Sequence, residues 1–240
     1  MSSKNIPRLF IDKELKLNAK IELNHNDKHY LKNVLRLYNG DFVKIFNGLD
    51  GEWKASFERE KNYLHCIKKI KNQKKELGPT LYFALIKNHN TRWMIEKVTE
   101  LGIEKLVPII TERTNNKNFN EEKAFLHVKE ASEVSDRLTL PRIEKKNTLL
   151  KILEQSQRNS DILFFCNESM EDDILQNQLK SLKNKKVAFL IGPEGGFSPS
   201  EALLIKSFSH VKPVKLFNRI LKSETAAILA LSIFKSYQNI

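Results

Sequence analysis

Cysteine is scarce in this 240-residue chain: there are two, Cys66 and Cys166, a hundred residues apart. That spacing builds no thiolate metal site. It points to a reducing compartment, in which both read as small buried hydrophobes. Long apolar runs are also missing. Nowhere do about eighteen apolar residues stand together, as a membrane-spanning helix requires. The first twenty residues carry Lys4, Arg8, Asp12, Lys13, Glu14, Lys16 and Lys20, which leaves no apolar stretch for a secretory signal. A soluble, cytoplasmic protein is expected. No internal repeat or low-complexity tract is evident. Neither the Gly-Lys-Ser/Thr ending of a P-loop nor the G-x-G-x-x-G spacing occurs, so nucleotide phosphate loops of those kinds are not indicated.

What is present supports a folded, basic protein. Apolar residues make up 40% of the chain and include 14 Phe, enough to build a hydrophobic core. The formal net charge is +12, and it is uneven: residues 1–80 hold 17 Lys/Arg against 10 Asp/Glu, a net of +7. An excess of cations favours phosphate polyanions through Coulomb attraction and counterion release. A genome that writes Lys wherever the surface tolerates it produces the same number.

Residues 8–70 read as a small β-rich unit. Arg8–Asp12 is a short strand, and Asp41–Phe46 alternates as a strand should. Asn47-Gly48 and Asp50-Gly51 are turn signals before a partner strand at Glu52–Phe57, and Tyr63–Ile70 makes another. The stretch Asp27–Leu37 reads as one helix with Tyr30, Leu31, Val34 and Leu35 on its apolar face. A compact barrel with one helix is the natural architecture. Residues 71–79 are polar, end in Gly78-Pro79 and read as a linker.

Beyond the linker the pattern changes. Apolar runs at Leu81–Ile86, Leu106–Ile110, Ile162–Phe165 and Val187–Ile191 alternate with helical stretches at Thr91–Leu101 and Glu121–Arg137. Continuous apolar runs of this length suit strands buried on both faces, and their alternation with helices implies a parallel α/β sheet.

Two loops near the C-terminus carry the chemistry. The first, Ile191-Gly-Pro-Glu-Gly-Gly-Phe-Ser-Pro-Ser200, follows a buried strand and leads into a helix capped by Ser198, with Pro199 first in the helix and Glu201 three residues after the cap. Its glycines let backbone approach a ligand, beyond a strand's carboxyl end where α/β sheets bind ligands. Glu194 inside the loop repels phosphate, so a neutral or cationic ligand rich in hydroxyls and ring nitrogens fits better; a plain strand-helix turn needs glycines as well. The second loop, Val214–Ala227, runs from a short strand through Arg219 to a helix beginning at Lys222 or Ser223. From Ala226 to Leu231 that helix is apolar almost all round, which demands burial on more than one side, in the core or at a subunit interface.

In their order and spacing these loops resemble the G-P-E-G-G-F/L-S and L-G-x-R-I-L-R-x-E-T-A motifs of the RsmE family of SPOUT methyltransferases. Pro7–Phe10 and His29–Arg36 resemble its R-x-F/Y and H-x-x-x-V-L-R segments. Lys97–Gly102 with Pro108 and Thr111–Arg113, then Ala131, Glu133, Arg137 and Pro141, resemble two further blocks, so the likeness covers nearly the whole chain. Val134, Asp136, Phe217 and Lys222 depart from the family pattern.

The resemblance implies a PUA-like β-barrel over residues 1–72 that binds RNA, and a trefoil-knotted SPOUT domain with a parallel sheet over 73–240. It implies a homodimer and a bent S-adenosyl-L-methionine held by the knotted loops. The reaction it implies is methylation of N3 of a uridine in 16S ribosomal RNA, naked or within the small subunit. Alternatives are another SPOUT RNA methyltransferase, acting on ribose 2′-O or a tRNA base, and a non-catalytic RNA-binding protein. Cofactor contacts fall on Ile191, Gly192, Glu194, Gly195, Gly196, Leu216, Ile220 and Leu221. Arg219, permanently charged, is the candidate to stabilise negative charge on the uracil, with an ion pair to Glu224 or Glu194 as its alternative role. Glu224 and Glu133 are candidate bases. Arg8, Arg36 and Arg137 are candidate RNA contacts.

Overall fold

A computed structural model describes residues 6–159, 161–169, 171–180, 182 and 185–238. The chain divides into two units, each with its own internal contacts. The first holds the residues up to Glu76 together with Ser132–Leu140, and the second holds Leu77–Ala131 and Pro141 onward.

In the first unit, β1 (Arg8–Phe10), β2 (Lys20–Glu22), β3 (Phe42–Phe46), β4 (Glu52–Glu58) and β5 (Tyr63–Lys71) form a sheet in the order β1-β3-β4-β5-β2. Only β1 and β3 run parallel. Alternate residues turn inward, so Leu9, Val43, Ile45, Ala55, Phe57, Leu64 and Cys66 build the core while intervening lysines stay at the surface. Burial pushes the Cys66 thiol up to about 11, which keeps it protonated. At the β3–β4 turn, Asn47 Oδ1 accepts the amides of Leu49 and Asp50. Asp50 accepts the Leu15 amide at 2.9 Å, which holds its carboxyl below the usual range.

The expected helix Asp27–Leu37 is replaced by a short α1 (His25–His29) and a π-helical turn over Tyr30–Val34. Leu35 donates to the Tyr30 carbonyl, five residues back, at 2.9 Å. The wider turn rotates the pattern: Leu31 and Leu37 are buried, whereas Tyr30 and Val34 are exposed. Arg36 closes the segment at φ 51°, in the left-handed region. Strand β2 carries no signal in the sequence, because Ile21 alone is buried between exposed Lys20 and Glu22.

The segment Ser132–Leu140, inside the 73–240 span expected for the C-terminal domain, belongs with the first unit. Buried polar contacts hold it. The Arg8 guanidinium donates to the carbonyls of Ser132 (2.7 Å) and Arg137 and pairs with fully buried Glu52. Glu133 Oε1 accepts the Phe10 amide at 2.8 Å. Arg137 pairs with Glu76 at 3.1 Å.

The second unit alternates strands and helices: β6 (Thr80–Ala84), α2 (Asn88–Glu100), β7 (Lys105–Ile110), α3 (Glu121–Val134), β8 (Arg142–Ile143), β9 (Asn147–Thr148), α4 (Leu149–Arg158), β10 (Ile162–Cys166), α5 (Leu175–Leu179), β11 (Val187–Ile191), α6 (Pro199–Lys206), β12 (Val211–Val214) and α7 (Ser223–Gln238). All its strands pair in parallel, in the order β12-β10-β11-β6-β7-β8, with β9 also on β7. The inner strands are buried on both faces, as at Leu163, Phe164 and Phe165 on β10 and Ala188, Phe189 and Leu190 on β11. Helix α3 stops at Val134, short of the expected Arg137, and Asp136 at φ 64° turns the chain away. The mixed α/β architecture is the expected one, and it brings the carboxyl ends of β10, β11 and β12 side by side.

Candidate active site

The loops that leave those three strands form one pocket in the second unit. After β11 the chain turns sharply, with the Gly196 amide donating to the Pro193 carbonyl at 2.9 Å and Gly196 at φ 66°. Gly192 is needed for space, since a Cβ there meets the Phe197 ring at 2.8 Å. Helix α6 then starts with a full capping box. The Ser198 hydroxyl accepts the Glu201 amide, and Glu201 Oε2 accepts the Ser198 amide at 3.0 Å. The other Glu201 oxygen accepts the Glu112 amide at 2.8 Å, and Arg113 donates to the Gly195 carbonyl at 3.0 Å. Both contacts tie the loop to the segment after β7.

The second loop closes over the first. The Ser223 hydroxyl donates to the Gly192 carbonyl at 2.7 Å, which joins the start of α7 to the glycine loop. Between them, Ile191, Gly192, Gly195, Gly196, Leu216, Ile220 and Leu221 line the pocket. These are seven of the eight predicted cofactor contacts. Glu194 is the exception: it is exposed, lines an adjoining cleft, and accepts the Lys87 amide at 3.5 Å. Arg219 is exposed on the pocket rim with its guanidinium 5.2 Å from the centre of the Phe217 ring. Among the described residues no ion pair joins it to Glu224 or Glu194. The departure Phe217 is thereby a wall of the pocket and a platform for Arg219.

Glu224, in the first turn of α7, is 5% exposed and lines the adjoining cleft rather than the pocket. Its Oε2 is buried without a hydrogen-bond partner among the described residues. Sequence reasoning missed Arg113, Cys166, Asn167, Glu168, Lys215 and Ser223, all of which line the pocket. Asn167 and Glu168, directly after β10, were findable. A loop that follows a strand beside β11 opens at the same edge of the sheet.

The remaining candidates lie in the first unit. Arg8 and Arg137, with side chains 7% and 6% exposed, spend their guanidinium groups on Glu52, on backbone carbonyls and on Glu76. Both guanidinium groups are held inside the fold, Arg8 by a carboxylate and carbonyls and Arg137 by the Glu76 carboxylate, which gives each a structural role. Glu133 is likewise committed, to the Phe10 amide. Arg36 alone of the three arginines is exposed.

Comparison with known proteins agrees with this layout. Residues 73–235 match the model of the RNA methyltransferase domain family, and residues 23–69 match that of the RNA methyltransferase PUA domain. The chain is 36% identical to ribosomal RNA small subunit methyltransferase E of Rickettsia conorii, over 94% of this chain and 93% of that one. A putative methyltransferase from Legionella pneumophila, solved with S-adenosylmethionine bound, superposes with a TM-score of 0.85 at 26% identity, covering 97% and 98% of the two chains. The methyltransferase E of Neisseria gonorrhoeae, also bound to S-adenosylmethionine, shares the fold with a TM-score of 0.83 at 21% identity, over 97% and 98%. The chain belongs to the ribosomal RNA small subunit methyltransferase E family.

Proposed function

We propose that this chain transfers the methyl group of S-adenosylmethionine to N3 of a uridine in 16S ribosomal RNA. One observation carries the reading. The glycine loop and the Arg219 loop, which leave different strands, meet over a single pocket at the carboxyl edge of the sheet, locked by the Ser223–Gly192 hydrogen bond. Relatives of the same fold bind S-adenosylmethionine. The lining suits that molecule: open glycine backbone and the apolar side chains of Ile191, Leu216 and Leu221 for the adenine, and the Glu168 carboxylate for the cationic part.

Bound there, S-adenosylmethionine supplies an electrophilic methyl on a sulfonium. The chain's own contribution is to hold the uridine nitrogen in line with that methyl. N3 of uracil becomes a nucleophile as its proton leaves, and negative charge spreads to O2 and O4. Arg219, which cannot lose its charge, stabilises that anion from the rim. The first unit holds the RNA, with exposed Arg36 among its cations. The same reading includes a trefoil-knotted backbone, a homodimer, a cytoplasmic location and a small subunit at some stage of assembly as partner.

The test is mass spectrometry of 16S RNA from cells with and without the gene, beside calorimetry of the purified chain with S-adenosylmethionine. One N3-methyluridine is expected to vanish with the gene and return with it. An unchanged nucleoside profile, or no cofactor binding, removes the reading.

A further inference from the structure

The cleft beside the cofactor pocket has no assigned role. It encloses about 660 Å³, room for a nucleoside, and shares Glu168, Pro193, Ile220, Leu221 and Ser223 with the cofactor pocket. A base seated in it therefore lies next to the methyl donor. Its charged and titratable lining is Lys87 and His89 at the start of α2, Glu168 after β10, Glu194 in the glycine loop, and Lys222 and Glu224 at the start of α7. Asn90 and Asn115 add neutral donors and acceptors.

One of these groups differs from the rest. Glu168 and Glu194 are exposed, where water satisfies them. Glu224 is 5% exposed, and its buried Oε2 has no partner among the described residues. A buried carboxylate oxygen left unpaired is costly, and a donor seated against it relieves that cost. Glu224 stands in the first turn of the sixteen-residue α7.

Resting on the methyltransferase reading above, we infer that Glu224 recognises the imino N–H of the target base and removes its proton. An ionised carboxylate only accepts hydrogen bonds. Uracil offers it N3–H. Cytosine and adenine offer a ring nitrogen with a lone pair at the matching edge, and that lone pair repels the carboxylate. The same group therefore selects uridine over cytidine and activates it. In the step, the N3–H bond breaks and its proton passes to Glu224. The N3 electron pair forms the new N–CH3 bond while the methyl–sulfur bond breaks and its pair stays on sulfur. Glu224 then gives the proton to water. Asn90 and Asn115 read the flanking carbonyl oxygens.

The experiment is single-turnover transfer of labelled methyl to small-subunit RNA by wild-type protein, Glu224→Gln and Glu224→Asp, from neutral to alkaline pH. Melting temperature and S-adenosylmethionine affinity are measured alongside. Glu224→Gln is expected to lose about a hundredfold to ten-thousandfold in rate at neutral pH, with cofactor affinity unchanged. Its rate should climb with pH as uracil ionises without help. RNA carrying 5-fluorouridine, whose imino proton is more acidic, should narrow the defect of both variants. A Glu224→Gln rate near wild type, or a loss that neither pH nor 5-fluorouridine relieves, overturns the inference. If Glu224→Gln fails to fold, Glu224→Asp with the two RNAs decides alone, an equal defect on both counting against the role. A wild-type chain that methylates no uridine removes the underlying reading as well, and the two failures are thereby told apart.

Discussion

Gly195 and Gly196 are neighbours in one loop yet meet different demands. Gly196 sits at φ 66°, where any side chain is strained whatever the space. Gly195 has no such constraint, and a Cβ there meets the Arg113 side chain at an ordinary 3.6 Å. Nothing in the fold forbids a side chain at 195, so its absence is best explained by the ligand. Gly195→Val is expected to weaken S-adenosylmethionine binding at least about tenfold, some 1.4 kcal/mol, with an unchanged melting temperature. Gly196→Val should lose binding and also about 1–3 kcal/mol of stability. Calorimetry and thermal melts of both variants check this, and intact affinity in Gly195→Val places the loop outside the site. The sequence was most legible at such residues. Ser198, Pro199 and Glu201 spell a capping box, and the structure contains it in full. The burial of Glu224 was not legible, because it depends on α7 packing against α2, α5 and β11.

Among the elements, the long strands of the second unit could be read because each is buried on both faces and so is written in continuous apolar residues. Strands β8 and β9, two residues each, carry no such pattern and are fixed by their neighbour β7. The π-helical turn is hidden for a related reason: helical spacing of apolar residues assumes 3.6 residues per turn. Helix α7 reads as expected but is largely clothed within its own unit. Ala227, Ala230, Leu231 and Phe234 face inward, and Ile228, Leu229 and Ile233 are half-buried. Nearby, Leu203 and Ile220 stand 73% and 71% exposed. Large apolar side chains so exposed beside a site suit a partner subunit. Light scattering at micromolar concentration is expected to give twice the 27.9 kDa chain mass, and Ile220→Asp with Leu203→Asp should shift it to the monomer. A monomeric wild-type chain sinks the dimer.

At the scale of the whole molecule, the basic excess of residues 1–80 does not act as one patch. Arg8 is inside the fold, and Arg36 is outside it. Arg8→Ala strands Glu52, whose side chain is fully buried, and should cost about 3–5 kcal/mol. Lys71, 3.5 Å from Glu52, is the remaining cation to offset part of that loss. Arg36→Gln should leave the melting temperature alone and flatten the salt dependence of RNA binding by about one unit of slope. Filter binding across a salt series with both variants separates the roles. An unaltered slope for Arg36→Gln makes it an ordinary solvated residue.

The first unit also needs residues that the ribosome adds late. Arg8 and Phe10 emerge early, but their partners at Ser132, Glu133 and Arg137 follow more than a hundred residues afterwards. Until then the Arg8 guanidinium can meet Glu52 and the Phe46 ring but none of those carbonyls. These contacts of the first unit therefore form only once the chain has been made as far as Arg137. A chain cut after Glu76 ends before those partners are made, so it should behave as a folding intermediate rather than as a free-standing module.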